Sequence, residues 1–149
     1  MIYISSPNDP LPVASELIER AALAALTHQS AQGDLSVVLT DDLQLQQLNR
    51  EYLGVDAPTD VLSFPAAETD PESGTAYLGD ILISVPRATE QARTANHPLQ
   101  SEVQLLVVHG VLHLLGHDHA EAEEKSRMWA AQTAILESIG LVGIEIRES

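Results

Sequence analysis

The stretch VQLLVVHGVLHLLGHDH, residues 103–119, carries the strongest structural and chemical signal in the chain. Its apolar part, residues 103–115, predicts a buried helix. His109 and His113 are four residues apart in that helix, so their rings leave the same face one turn apart. We therefore expect the chemistry of the protein at this helix.

A glycine and a third histidine follow the predicted helix. Gly116 can take the left-handed conformation that ends a helix, which lets the chain double back and present His119 from a third side. A buried imidazole without a partner costs about 1–3 kcal/mol, whereas a metal ion would satisfy all three rings. Three neutral imidazoles leave a fourth tetrahedral position open, which is typical of catalytic zinc. We therefore expect His109, His113 and His119 to bind one divalent ion, with zinc as the expected metal.

Two other residues of the run have different expected roles. His117 lies eight residues after His109 and should leave the turn on another side than His119, so it is not an expected ligand. Asp118 is a candidate to orient a ligand ring by accepting its second N–H, and a solvated turn aspartate is the alternative. Because ligation requires neutral histidine, we expect metal affinity to fall as the pH drops below about 6.5.

The spacing H-x3-H-x5-H, with glycine three residues after the second histidine, is the skeleton of the extended zinc-protease motif. Those proteases place a glutamate directly after the first histidine as the general base. The residue here is Gly110, which cannot accept a proton. The spacing therefore predicts a zincin-like metal-binding helix, with peptide hydrolysis as a minor interpretation.

Length and composition narrow the fold class. The chain has 149 residues, which suits one domain over residues 1–149. It has no cysteine, so a metal site must use nitrogen and oxygen ligands. The order of apolar segments predicts an α+β fold in which helices cover a small mixed sheet. The expected strands are 2–5, 35–39, 60–64 and 77–84, the expected helices are 11–31, 41–52 with Thr40 as its cap, 86–96, 103–115 and 120–138, and 66–75 is an expected loop.

Two features bear on where the protein works. The first residues, MIYISSPNDPLP, lack a basic segment followed by an apolar one, so we expect no secretory signal. The longest apolar run, residues 105–115, is interrupted by two histidines and is too short to cross a bilayer. We therefore expect a cytoplasmic protein that has no membrane partner.

The charge balance is strongly acidic. Seven lysines and arginines against 22 aspartates and glutamates give a formal net charge of −15. This is the opposite of the basic surface expected of a protein that holds RNA by its phosphates. A locally positive cleft is one solution, because Arg50, Arg87 and Arg93 all lie in the middle third of the chain. The other solution is a basic partner attracted to the acidic surface.

Three motifs that occur in order along the chain resemble one known family. HGVLHLLGHDH, residues 109–119, is similar to the signature of the YbeY family of metal-dependent endoribonucleases. LNREYLGVDAPTDVLSFP, residues 48–65, and YLGDILIS, residues 77–84, resemble two further blocks of that family. The separations of the three motifs also fit the family.

The resemblance implies a single-strand-specific endoribonuclease that acts in ribosomal RNA maturation and ribosome quality control. It implies that the three motif histidines bind the metal, which would polarise a phosphoryl oxygen or lower the pKa of its water toward about 7. It makes Asp60, Ser63 and Asp80 candidate substrate contacts, although an aspartate at the start of a strand or turn is often a backbone cap. The implied partners are ribosomal RNA and the small ribosomal subunit or a basic ribosomal protein. The sequence does not identify a general base.

The chain departs from the family pattern at two positions. The family keeps an arginine thought to handle RNA after the tyrosine of the first block, whereas Leu53 follows Tyr52 here. Arg50, three residues earlier and on a nearby helical face, is the candidate replacement, and a solvated arginine without a role is the alternative. His117 stands where the family prefers an aromatic residue, which is a mild change because imidazole is also planar.

Two other functions stay open at this point. One is a non-catalytic ribosome-assembly or RNA-binding factor whose structural metal has a closed shell, completed by a carboxylate or by His117. The other is a metal-dependent hydrolase of a different ester or amide. A metal without an exchangeable water would favour the first, and activity on substrates other than RNA would favour the second.

Overall fold

The computed structural model describes residues 1–7 and 10–146, which form four strands and five helices. The strands are β1 (Ile2–Ser5), β2 (Asp34–Thr40), β3 (Val61–Thr69) and β4 (Ala76–Ser84). The helices are α1 (Ser15–His28), α2 (Asp42–Leu53), α3 (Val85–Ala95), α4 (Leu99–Leu114) and α5 (Ala122–Ser138). None of these helices is long and apolar enough to cross a membrane.

The four strands form one mixed sheet in the order β1-β2-β4-β3. β1, β2 and β4 run parallel, with Val37 opposite both Ile4 and Ile81. β3 is antiparallel to β4, with Leu62 opposite Leu82. Parallel neighbours need crossover connections, and α1 supplies the one between β1 and β2. The prediction of an α+β fold with a small mixed sheet is confirmed.

Helix α4 lies inside the main hydrophobic core, on one face of the sheet. It contacts α1, α3, α5, β3 and β4, and every residue from 101 to 112 is buried. Alternate strand residues such as Val37 and Ile81 point into this core, as the two-residue period of a strand requires. α2 covers the opposite face of the sheet with a smaller cluster that includes Leu45 and Leu82. The fold therefore has a thick helical layer on one face and a single helix on the other.

Several helix boundaries differ from the sequence prediction: α1 ends at His28 instead of residue 31, α4 begins at Leu99 instead of residue 103, and α5 begins at Ala122 instead of residue 120. Two further differences have local reasons. α1 begins at Ser15 instead of residue 11. Leu11 is excluded from the helix because it precedes Pro12, and a residue before proline is disfavoured in helical geometry. α2 is capped by Asp41 and not by Thr40, which is the last residue of β2. The Asp41 carboxylate accepts the backbone N–H of Gln44 at 2.8 Å, which is the usual bond of an N-cap.

The expected loop at 66–75 is shorter than predicted. β3 continues to Thr69 and β4 begins at Ala76, so only residues 70–75 connect the two strands. The Asp70 carboxylate accepts the backbone N–H of Glu72 at 2.9 Å inside this connection. β3 is an edge strand, and an edge tolerates Pro65 and charged residues that would be costly in the middle of a sheet. The polar composition of this segment was therefore a poor guide to its conformation.

Candidate metal centre

Helix α4 places His109 and His113 side by side. Their Nε2 atoms are 3.0 Å apart and their ring centroids are 4.6 Å apart. His109 is buried, with 3% of its surface exposed, and His113 is half-buried. A neutral ring offers one donor and one acceptor nitrogen, so two Nε2 acceptors at this distance need a proton or a cation between them. A shared proton or a bound cation would therefore satisfy this pair.

The turn after α4 has the left-handed glycine that the sequence predicted at Gly116. Gly116 has a φ of 97°, in the left-handed region where a side chain is disfavoured. The N–H of Gly116 bonds to the carbonyl of His113 at 3.0 Å, and the N–H of His117 bonds to that of Leu112 at 2.9 Å. These two bonds form a Schellman motif, which satisfies the last carbonyls of the helix and reverses the chain.

The reversal brings the ring of His119 to the pair on α4. Its centroid is 5.7 Å from that of His109 and 5.4 Å from that of His113. One ring nitrogen of each of the three residues lies within 4.8 Å of the others. The three side chains could therefore hold one metal ion.

The electrostatics keep the α4 pair in the form that binds metal. Burial, together with the nearby His113 and His119 rings, lowers the pKa of His109 to about 3. Burial and the His119 ring also lower the pKa of His113. Rings with lowered pKa values are neutral at neutral pH and have a free lone pair. Three imidazole nitrogens, with no carboxylate in the cluster among the residues that the structure describes, are a donor set that fits a divalent ion such as zinc.

Gly110, directly after the first histidine, sits where α4 touches the sheet. A Cβ built on it would lie 2.8 Å from Cγ2 of Ile81 in β4, and both residues are buried in the core. A side chain at this position therefore has no space, although glycine inside a helix is about 1 kcal/mol less favourable than alanine. The packing of α4 on β4 explains why the glutamate of the zinc proteases is absent.

A cleft of about 400 Å³ opens beside the three rings. Its wall comes from α2, the loop after α2, β3 and α4. The wall residues other than the histidines are Asn49, Leu53, Val55, Thr59, Val61, Leu62, Ser63 and Pro65. Within the described part of the chain, this wall has no aspartate or glutamate, in contrast to the acidic composition of the whole protein.

Only one of the four residues predicted to contact substrate lines this cleft. Ser63 does so, and its Oγ donates to the carbonyl of Gly110 at 3.4 Å. Arg50 is exposed on α2 and does not line the cleft, although Leu53, at the end of the same helix, does. The position at which the family keeps its arginine is therefore at the cleft, and the candidate replacement Arg50 is outside it.

Neither of the two predicted aspartates lines the cleft, although Asp60 lies between Thr59 and Val61, which do. Asp60 is buried, with 4% of its surface exposed, and its backbone carbonyl accepts the N–H of Ser84 at 2.9 Å. Asp80 accepts a hydrogen bond from the hydroxyl of Tyr77 and lines a separate hollow with Phe64 on the α2 side of the sheet. Asp80 is on that side because it alternates along β4 with residues that face α4.

His117 and Asp118 make contacts that differ from those of the three clustered rings. Nε2 of His117 lies 2.7 Å from Oε1 of Gln29, near the end of α1. Asp118 was expected to accept the second N–H of a histidine ring. Its carboxylate instead accepts the backbone N–H of His119 at 2.7 Å. A side chain that does approach a ring nitrogen of the cluster is Gln132 of α5, whose Oε1 is 3.2 Å from Nδ1 of His109.

Sequence reasoning missed several residues of this site. Asn49 lines the cleft and donates to the carbonyl of Ala57 at 3.0 Å, which fastens the loop that carries Thr59. Trp129 lies on α5 with its ring centroid 5.5 Å from that of His119. Gln132 had a visible signal, because it is a polar residue within the buried stripe of α5. The other contacts depend on the tertiary fold and have no local signal.

The fold and the site together define an α+β protein with a three-histidine cluster that could hold a metal at the side of an open cleft. Comparison with known proteins makes this class specific. The family model described as endoribonuclease YbeY matches residues 9–140. The chain belongs to the endoribonuclease YbeY family.

Individual relatives agree with this assignment over nearly the whole chain. The endoribonuclease YbeY of Carboxydothermus hydrogenoformans is 45% identical over 144 residues, which cover 95% of this chain and 99% of the relative. The endoribonuclease YbeY of Moorella thermoacetica is 43% identical and covers 93% of this chain and 96% of its own. A Thermotoga maritima protein of known solution structure is similar with a TM-score of 0.61 and 29% identity, over 93% of this chain and 89% of its own.

Proposed function

We propose that this chain is a metal-dependent, single-strand-specific endoribonuclease that acts in ribosomal RNA maturation and ribosome quality control. The observation that carries the proposal is the cluster of three histidine nitrogens within 4.8 Å beside a cleft, in a chain of the endoribonuclease YbeY family. His109 lies deep in the protein, with 3% of its surface exposed. A flexible single strand can bring a phosphate to such a site, whereas a rigid duplex presents its phosphates on a broad surface.

The proposed cofactor is one zinc ion, held by His109, His113 and His119. A divalent ion at this position supplies Lewis-acid chemistry, which polarises a phosphoryl oxygen and makes water more acidic. Burial lowers the pKa of His109 and His113 and so keeps these two rings neutral, and the Gln132 oxygen is placed to hold the proton of His109 on Nδ1. Ser63 is the proposed contact to substrate inside the cleft, and Arg50 is a proposed phosphate contact outside it.

The charge distribution supports a proposal about partners. The body of the protein is acidic, with a formal net charge of −15, while the described cleft wall has no acidic side chain. The acidic body would repel free RNA and attract a basic protein. We propose that the small ribosomal subunit, or a basic ribosomal protein on it, presents the RNA. In this proposal the whole chain, residues 1–149, acts as one domain in the cytoplasm.

The test is cleavage of defined RNA by the full chain at a measured zinc content. Matched single-stranded and hairpin RNAs of the same composition are incubated with the zinc-loaded protein and with His113→Ala purified in parallel. We expect cleavage of the single-stranded RNA, weak cleavage of the hairpin, and none by the variant. Equal cleavage by both proteins would point to a contaminating nuclease. No cleavage at full zinc content, with or without small subunits, would contradict the proposal.

A further inference from the structure

A buried amide, that of Gln132, lies beside the histidine cluster. Gln132 has no exposed surface and lies in the stripe of α5 that also buries Met128, Ala131 and Ile135. Its Nε2 has no hydrogen-bond partner among the residues that the structure describes. A methionine would fill a similar volume without burying an unpaired donor, and it would pack well in this stripe.

Among the residues that the structure describes, the one hydrogen-bond partner of this amide is a ring of the candidate metal site. Oε1 of Gln132 lies 3.2 Å from Nδ1 of His109, on the opposite side of the ring from the nitrogen that approaches His113. A carbonyl oxygen can only accept, so it requires the ring proton to be on Nδ1. The lone pair is then on Nε2, which points to the other histidines. With the amide reversed, Nε2 of the ring would carry the proton and could not bind a metal.

We propose that Gln132 is a positioning residue for the metal site, whose side-chain oxygen holds His109 in the Nδ1–H tautomer and so presents Nε2 as a ligand. This inference rests on the proposed metal function of the three histidines. The orientation of a ligand ring by a hydrogen bond to its second nitrogen is a general feature of histidine metal sites. Here α5 supplies that bond, and the turn residue Asp118 instead binds the backbone of His119.

The test compares two substitutions of Gln132 that have a similar side-chain size but differ in whether they keep the hydrogen-bond acceptor. Gln132→Met keeps the length of the side chain and removes the acceptor, and Gln132→Glu keeps an acceptor and adds charge. Zinc affinity of the full chain is measured by competition with a chelator, with the fluorescence of Trp129, the only tryptophan, as a second signal. We expect Gln132→Met to weaken zinc binding about 10–100-fold and Gln132→Glu to retain or tighten it.

A matched control is available in α4. Gln104 is also a buried glutamine, with 5% of its surface exposed, but its Nε2 donates to the carbonyl of Leu17 at 2.9 Å, away from the ligands. Gln104→Met should lower thermal stability and leave zinc affinity unchanged. A purely structural role for Gln132 predicts the same for Gln132→Met, and unchanged zinc affinity in that variant would overturn the proposal.

A spectroscopic measurement on the unsubstituted protein tests the tautomer of His109 directly and does not depend on whether a variant folds. In the zinc-loaded unsubstituted protein, long-range proton–nitrogen correlation spectra report which nitrogen of each imidazole carries a proton. We expect a proton on Nδ1 of His109 that exchanges slowly, because that atom is buried. A zinc-bound His109 with its proton on Nε2 would reject the role of Gln132. Absence of zinc binding by the unsubstituted protein would instead reject the metal site itself, so the two failures are distinguishable.

Discussion

Helices α4 and α2 both contribute to the wall of the cleft, but they are built in opposite ways. α4 is buried without interruption from residue 101 to 112, whereas Leu45 and Asn49 are the buried residues of α2. His109 on α4 has 3% of its surface exposed, and Leu53 at the end of α2 has 59%. The same cleft therefore has one wall that belongs to the hydrophobic core and one that belongs to the surface.

This difference separates two kinds of chemistry. Residues on α4 are held by packing on several sides, which gives the rings of His109 and His113 a fixed geometry and makes their substitution costly. Residues at the end of α2 can change without disturbing the core, and this is where the chain departs from the arginine of its family. We infer that metal binding depends on the α4 wall and that RNA affinity is adjusted at the α2 wall.

The largest expected effect is at the ligands on and after α4. Changing His109, His113 or His119 to alanine should remove nearly all bound zinc and all RNA cleavage, because two imidazoles hold zinc far more weakly than three. Elemental analysis of protein purified without chelator is the measurement. His117→Ala is the matched control, since its Nε2 contacts Gln29 and not the other rings. Full zinc occupancy in His119→Ala would show that the ion is bound elsewhere.

The next largest effect concerns the contact of α4 with the sheet. Gly110→Ala places a methyl group 2.8 Å from Cγ2 of Ile81, and we expect it to lower the free energy of unfolding by about 1–3 kcal/mol. Urea unfolding of the variant is the measurement. The control is a double-mutant cycle with Ile81→Ala, in which the cost of the methyl group should largely disappear. Additive costs in the cycle would mean that Ile81 is not the obstacle.

The buried state of the α4 rings also predicts a pH dependence. His109 has a pKa of about 3 in the folded protein against an ordinary value of 6.5, so below pH 6.5 the unfolded chain takes up a proton that the folded chain refuses. Stability of the metal-free protein should be constant above about pH 6.5 for this group and fall by up to about 1.4 kcal/mol per pH unit below it. Urea unfolding between pH 7.5 and about 4.5 measures this slope.

The same lowered pKa revises the expectation for metal affinity. Because His109 stays neutral well below pH 6.5 in the folded protein, protons compete for this ligand only at lower pH than for a free imidazole. Zinc titrations at several pH values, in the range where the protein is folded, distinguish the two cases. The control is His28→Gln, a change at an exposed histidine outside the cluster, which should leave the pH dependence of zinc affinity unchanged. A steep loss of affinity starting at pH 6.5 would contradict this expectation, because it would show proton competition for the site at a pH where His109 should still be neutral.

The helix and the histidine cluster of the α4 wall could be predicted because they depend on residues that are close together in the sequence. An apolar run, two histidines four residues apart and a glycine at the right place define the helix, the shared face and the turn without knowledge of the rest of the fold. The mixed sheet was predictable for the same reason, since each strand has its own apolar signal. The end of β3 was not, because its polar residues are allowed only by its position at the edge.

The contacts around the site required the tertiary structure. Asp80 was assigned to the cleft because its motif resembles the family, but which face of β4 meets α4 depends on how the helices pack. Gln132 is 23 residues from His109, so no local pattern connects them. The burial of Asp60 is likewise set by neighbours from distant parts of the chain. Motif similarity therefore located the relevant strands without giving the direction of their side chains.

The smallest expected effect tests the α2 wall. Leu53 lines the cleft, is 59% exposed and occupies the position of the family arginine, so Leu53→Arg should add a phosphate contact without a folding cost. One added contact should strengthen RNA binding a few-fold and steepen its salt dependence by about 0.7 in log–log slope for a single strand. Arg50→Ala should weaken binding by a smaller amount, since Arg50 lies outside the cleft.

RNA binding by each variant is measured at several salt concentrations with the zinc content held equal. The contrary result is that Leu53→Arg leaves both the RNA affinity and its salt dependence unchanged in folded, zinc-loaded protein. That result would show that RNA does not pass the end of α2, and it would contradict the inference that RNA affinity is adjusted at the α2 wall.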